Sequence, residues 1–126
     1  MDKKNVNIGI VGLGFIAVMH IRAYRQVKGA KITAICNPSG NRLDGDFSDV
    51  FGNLDSGDPV KLDMSQVKPY QDFQELINDR SINVIDICTP THTHLELAKA
   101  ALASGKHVIC EKPLARTLED AKEISA

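Results

Sequence analysis

The chain has 126 residues, enough for one domain with its own core and too few for two of ordinary size. Charged residues make up 25% and the formal net charge is −1, which gives no electrostatic ground for binding nucleic acid or an anionic membrane surface. No run approaches the ~18 apolar residues of a membrane span, and the N-terminus lacks a signal peptide's apolar stretch, so a cytoplasmic protein is expected.

Ile8 to Val11 is a short apolar run that reads as a buried parallel strand. It leads into Gly12-Leu13-Gly14-Phe15-Ile16-Ala17. The apolar period then changes, with Ile16, Met19, Ala23 and Val27 predicted to form one buried helical face. Strand, glycine turn and helix start form the context of a dinucleotide-binding fingerprint. Gly12 permits the sharp turn, Gly14 lets a pyrophosphate approach the backbone, and Ala17 lets helix and strand pack closely. The backbone N–H groups opening the helix, about Phe15 and Ile16, are the expected phosphate donors.

Lys31 to Cys36 reads as the second strand, completing a βαβ unit, and Asn37 to Asn41 as a loop. Residues 42–66 carry turn chemistry and little regular pattern. Their acidic residues do not have the spacing of a calcium loop. Val67 to Tyr70 is predicted to be a short edge strand, followed by a short helix from Asp72 to about Asn78. Asn83 to Cys88 is a further strand. The loop Thr89-Pro90-Thr91-His92-Thr93-His94 leads into a helix buried through Leu95, Ala98, Ala101 and Leu102 and stopped at Gly105. Lys106 to Cys110 is the fifth strand and ends in Glu111-Lys112-Pro113. Thr117 to Asp120 has the form of a capping box opening a last helix.

Alternating strands and helices predict an α/β fold: a Rossmann-type, doubly wound parallel sheet in three αβα layers. Such sheets bind ligands beyond the carboxyl ends of their strands. The glycine turn, residues 37–42, residues 89–94 and Glu111-Lys112-Pro113 all fall at that end.

Three of these motifs in this order give the chain a family resemblance. Gly12 to Ala17, Ile87 to His94 and Gly105 to Pro113 resemble the N-terminal domain of the glucose-fructose oxidoreductase / inositol dehydrogenase / rhizopine catabolism (Gfo/Idh/MocA) family. The resemblance covers essentially the whole chain. It implies NAD(P)-dependent hydride transfer at a hydroxyl-bearing carbon of a sugar, sugar derivative or cyclitol. It implies that Lys112, within Glu111-Lys112-Pro113, stands beside the nicotinamide and the reacting oxygen as the catalytic residue. Glu111 then orients Lys112 or simply pairs with it. Thr89, Pro90 and His94, with Thr91 in the same loop, are implied on the nicotinamide side. Family members continue into a second α/β domain that carries the substrate pocket. Nothing in residues 1–126 matches that domain, so the chain reads as the NAD(P)-binding domain of a longer, homo-oligomeric enzyme. The competing reading is a stand-alone NAD(P)-binding module without catalysis, acting as a redox sensor or assembly partner.

Cofactor choice turns on the end of the second strand. An acid there commonly holds the adenosine ribose of NAD and repels a 2′-phosphate. Here the residue is Asn37. Arg42 has the charge to pair with a 2′-phosphate, and Ser39 and Asn41 can donate hydrogen bonds. NADP or NAD is therefore expected, with a slight preference for NADP. The alternative is an Asx-type turn with a surface arginine. No metal site is expected: the His92-x-His94 pair lacks further ligands at suitable spacing. His20 and His107 read as structural. Cys36, Cys88 and Cys110 each end a strand and read as small buried hydrophobes rather than a redox cluster.

Overall fold

The computed structural model describes residues 6–50, 60–110, 115 and 117–125. Five strands, β1 (Val6–Val11), β2 (Ala30–Cys36), β3 (Lys68–Tyr70), β4 (Val84–Ile87) and β5 (His107–Cys110), form one parallel sheet in the order β3-β2-β1-β4-β5. The helices are α1 (Phe15–Tyr24), α2 (Phe73–Ile77), α3 (His94–Ala103) and α4 (Leu118–Ser125). Chain order runs outward from β1 to β3, then returns to β4 on the other side of β1. That reversal opens a crevice between the carboxyl ends of β1 and β4.

Side-chain alternation divides the core into two layers. Ile8 and Ile10 of β1 and Ile35 of β2 pack on one face with Ala17, Val18 and Ile21 of α1. Val11, Ala34, Cys36, Ile85 and Ile87 point the other way, to Leu76 and Ile77 of α2, Ala98 and Ala101 of α3 and Ile124 of α4. Burial on both faces explains why Ile8 to Val11 of β1 reads as a continuous apolar run. The expected three-layer, doubly wound sheet is thus present.

The predicted buried face of α1 is corrected. Ile16 and Val27 are 38% and 50% exposed, whereas Ala17, Val18 and Ile21 are buried. Two physical facts account for this. The helix ends at Tyr24, so Val27 lies beyond it. Close approach to the sheet is possible only where the side chain is small, which puts Ala17 inward. On α3, Ala98 and Ala101 are buried as expected, but Leu102 is 44% exposed and His94 takes a buried place. Gly105 ends α3 at φ 82°, with its N–H bonded to Leu102 O and the Lys106 N–H to Ala101 O. That is the Schellman closure in which glycine is favoured.

Smaller elements follow their local signals. Asp72 caps α2 by accepting from the Gln74 N–H at 2.9 Å. Thr117 Oγ1 accepts from the Asp120 N–H, the cap expected for α4. Pro69 stands on the edge strand β3, where a missing N–H is tolerated. The excursion after β2 folds back: Asp46 and Lys61 form an antiparallel bridge, and Phe47 donates its N–H to Val60 O. Phe47 and Val60 are both buried and extend the α1-side layer.

Asp86 is a carboxylate with 0% exposure in the middle of β4. By alternation with Ile85 and Ile87 it faces α1, where His20 Nδ1 lies 2.6 Å from its Oδ2. The Tyr24 hydroxyl donates to the same oxygen at 2.5 Å. The Cys88 thiol donates to Oδ1 at 3.5 Å. Burial, then the hydrogen bond and negative charge of Asp86, push the Tyr24 phenol well above its ordinary pKa, so it stays a donor. One buried carboxylate thus gathers two polar groups of α1 onto the sheet. Removing one member of a buried charged network typically costs about 3–5 kcal/mol, because the partners stay buried and unpaired. Asp86→Ala is expected to lower the unfolding free energy by about that amount, read as a lower urea midpoint at unchanged slope. A variant as stable as the wild type would show that apolar packing alone holds α1.

Candidate functional site: the cleft at the carboxyl ends of β1 and β4

A cleft of about 760 Å³ opens where β1, β2 and β4 end. Its floor is Gly12 to Ile16, one wall is Asn37 to Ser39 with Arg42, and the other is Cys88 to Pro90 with His92 and Thr93. The two glycines of the floor are required for different reasons. Gly12 has φ +89°, and a Cβ there would meet Cys88 C and O at 2.8 Å. Its N–H is bonded to Cys36 O. Packing of the chain against itself therefore demands glycine at 12. Gly14 has φ −106°, and a Cβ there would meet nothing within 4 Å. The fold does not need glycine at 14; the empty space above it fits an occupant that approaches the backbone.

Gly14 is also the N-cap of α1, with no side chain to cap the helix and no acid in the first turn. The first N–H groups of a helix lack intrahelical acceptors and carry the positive end of its dipole. The donor set at Phe15 and Ile16 is therefore suited to a phosphate. Phe15 and Ile16 are 36% and 38% exposed, apolar surface at the cleft mouth.

On the β2 side, the Asn37 side-chain N–H donates to Asn41 O at 2.8 Å, and Ser39 Oγ accepts from the Asn41 N–H at 3.3 Å. Asn37 and Ser39 line the cleft; Asn41 lines an acidic hollow behind it. Arg42 separates the two and lines both. Its φ of 61° is left-handed, rare for a residue with a side chain. Its Nε and Nη2 bond the two Asp49 carboxylate oxygens at 2.9 and 3.1 Å, and Nη1 bonds Leu13 O at 3.1 Å. The guanidinium expected to be available to a phosphate is thus engaged by Asp49.

On the β4 side, Thr89 Oγ1 and Thr93 Oγ1 are 2.5 Å apart, and Thr93 Oγ1 also donates to Pro90 O. His94 is 1% exposed, with Nε2 donating to Thr89 O at 3.0 Å. His94, expected on the cofactor side, is thus bonded to the backbone of the loop through Thr89 O. His92, read from sequence only as half of a weak metal pair, is exposed and lines the cleft. Thr91 begins the short 3₁₀ turn Thr91–Thr93 in this wall. Glu111, Lys112 and Pro113 lie outside the described residues.

None of the three thiols is in a disulfide among the described residues. Burial, then the negative charge of Asp72, push the Cys36 thiol up to about 12, so it behaves as the small hydrophobe expected. Among the described residues, His20, Asp86 and Cys88 bring metal-capable atoms within 4.8 Å of one another. The 2.6 Å contact of His20 with Asp86 is a hydrogen bond, shorter than the ~3.3 Å between two ligands at zinc's ~2 Å bonds. The group is accounted for as the α1 anchor. Sequence reading passed over Asp86, although a lone acid inside an apolar strand signals a partnered buried charge.

A family model described as an oxidoreductase family with an NAD-binding Rossmann fold, Gfo/Idh/MocA, matches residues 6–126. The chain belongs to that family. Gfo/Idh/MocA relatives include a levoglucosan dehydrogenase of Pseudarthrobacter phenanthrenivorans, 36% identical over 94% of this chain and 29% of that protein. An inositol 2-dehydrogenase of Salmonella typhimurium is 33% identical over 92% of this chain and 31% of that protein. The chain thus spans about a third of the length of the curated relatives it matches. An Agrobacterium radiobacter oxidoreductase, solved with NAD+, L-tartaric acid and magnesium, superposes with a TM-score of 0.78 at 31% identity, covering 97% of this chain and 32% of that one. Among the described residues no helix is long and apolar enough to cross a membrane.

The two glycines are separable by stability. Gly12→Val is expected to lower Tm by roughly 10 °C or more, through a forbidden φ and a backbone clash. Gly14→Val, entering open space, is expected to shift Tm by less than about 3 °C. Equal losses in thermal melts would show that position 14 is also packed against the chain.

Proposed function

We propose that this chain is the nucleotide-binding part of an NAD(P)-dependent oxidoreductase acting on a secondary alcohol or ketone of a sugar, sugar derivative or cyclitol. The observation that carries the reading is the empty space over Gly14, facing the uncapped start of α1 inside the cleft. When bound, the nicotinamide dinucleotide supplies the hydride chemistry. Gly12 shapes the turn, and the N–H groups of Phe15 and Ile16 receive the pyrophosphate. Asn37 and Ser39 face the adenosine ribose. Thr89, Pro90 and Thr91 flank the nicotinamide, with His94 holding their backbone. Lys112 acts at the reacting oxygen, stabilising negative charge there, and Glu111 orients it or pairs with it.

The substrate surface belongs to a further domain, as the relatives' greater length supports. The full-length protein is a homo-oligomer in this reading. Three cysteines without a disulfide accord with a reducing compartment, the cytoplasm. Asn37 lacks the charge of an acid and leaves NADP admissible beside NAD. The slight NADP preference expected from sequence rested on Asn37 and on Arg42, which here pairs with Asp49.

NADH titration of residues 1–126 tests the reading. Saturable binding is expected, weakened roughly tenfold or more by Gly14→Val as its side chain displaces the pyrophosphate from its donors. Equal binding by both forms overturns the placement. In the protein carrying the substrate domain, Lys112→Ala is expected to reduce kcat by roughly 100-fold or more. Normal turnover by that variant removes Lys112 from the chemistry.

A further inference from the structure

We propose that Asp49 sets the cofactor selectivity of this cleft: by holding the Arg42 guanidinium it turns the adenosine end against a 2′-phosphate, so that the chain takes NAD(H) over NADP(H). The inference rests on the reading that the cleft holds a dinucleotide, and it assigns the residue that discriminates between the two forms.

Among the described residues lining the cleft, Arg42 is the only side chain with a permanent positive charge. A 2′-phosphate, carrying between one and two negative charges near neutral pH, would need that charge. The Asp49 carboxylate already meets it in the two-point geometry that a phosphate would use, at 2.9 and 3.1 Å. A third guanidinium proton is spent on Leu13 O, within the glycine turn itself. Arginine has five such protons, so two remain and a phosphate is not barred by donor count alone.

Charge decides the matter. Asp49 cancels Arg42, and Asp44 and Asp46 line the same hollow, of about 450 Å³, on the far side of the guanidinium. Lys61, bridged to Asp46, offsets one of these acids. The balance beside the cleft is still negative, as it would be had an acid ended β2. The hydrogen bond from Arg42 holds the Asp49 carboxyl below the usual carboxylate range. The negative charge that Asn37 lacks is thus supplied from the loop beyond it. A ribose 2′-hydroxyl brings no charge and can bond the Asn37 oxygen, so NAD(H) is not penalised.

Parallel titrations of residues 1–126 with NADH and NADPH test this, using wild type, Asp49→Ala, Asp49→Asn, and Asp49→Ala with Arg42→Ala. The Asp49 side chain is 64% exposed, so its replacement leaves the core intact. Wild type is expected to favour NADH by roughly tenfold or more, the scale of a lost charge-assisted bond. Asp49→Ala should tighten NADPH by roughly tenfold while NADH changes less than about threefold. Asp49→Asn, which removes charge but keeps an acceptor, should fall between. The gain should vanish when Arg42 is also absent, and it should shrink at high salt. A wild-type preference for NADPH, or equal responses of both cofactors to Asp49→Ala, overturns the role of Asp49. Absence of binding by either cofactor overturns the dinucleotide reading itself.

Discussion

The buried carboxylate of Asp86 is the constraint around which this domain is arranged. A carboxylate in the central part of a sheet, with 0% exposure, must be met by hydrogen-bond donors. The donors come from α1: His20 and Tyr24 stand on one helical face, four residues apart, and both reach the same oxygen. The polar contact is directional where the surrounding contacts of Ile8, Ile10, Val18 and Ile21 are not. Apolar packing favours α1 on the sheet; Asp86 favours one rotation and one height. That distinction matters because the start of the same helix forms the floor of the cleft.

From this anchor the site is built by two close approaches. Gly12 brings the first turn against the backbone of Cys88 and the side chain of Thr89, at a distance no side chain at 12 would permit. The loop after β4 is then held in its own shape by the Thr89, Thr93 and Pro90 bonds above and by His94 beneath. Neither loop is positioned by chance of sequence alone, since each is fixed to a strand end that the parallel ladder sets. This is why three separate segments with ordinary local chemistry, at 12–16, 37–42 and 88–93, converge on one crevice.

The order of elements was legible because strands buried on both faces are short, apolar runs, and because glycine, proline and capping residues mark their ends. The glycine turn, Gly105 and the caps at Asp72 and Thr117 each declared themselves through local backbone chemistry. The buried face of α1 was not legible, since Phe15 to Tyr24 has apolar residues on several sides and period alone cannot rank them. Ala17 held the answer, because tight helix–sheet contact selects for small size rather than for hydrophobicity. The partners of Arg42 were invisible for another reason. The bond to Asp49 spans seven residues of an irregular loop, and the bond to Leu13 crosses 29 residues between two elements. No period or motif encodes such contacts. His94 shows a third limit: its motif position is informative, but only burial reveals that it holds backbone.

The glycine turn is therefore tied down from two directions. Behind it, α1 is fixed through Asp86; beside it, Leu13 O is fixed through Arg42 to the loop carrying Asp49. A pyrophosphate and an adenosine ribose are parts of one ligand and stand a fixed covalent distance apart. A protein that recognises both gains when its own two subsites are held at that spacing before binding, because less ordering then accompanies association. Arg42 joins the glycine turn directly to the loop after β2, through Leu13 O on one side and Asp49 on the other. Its backbone is left-handed, with φ 61°, while its guanidinium bonds both Asp49 and Leu13 O. One side chain thereby couples the spacing of the cleft to its charge.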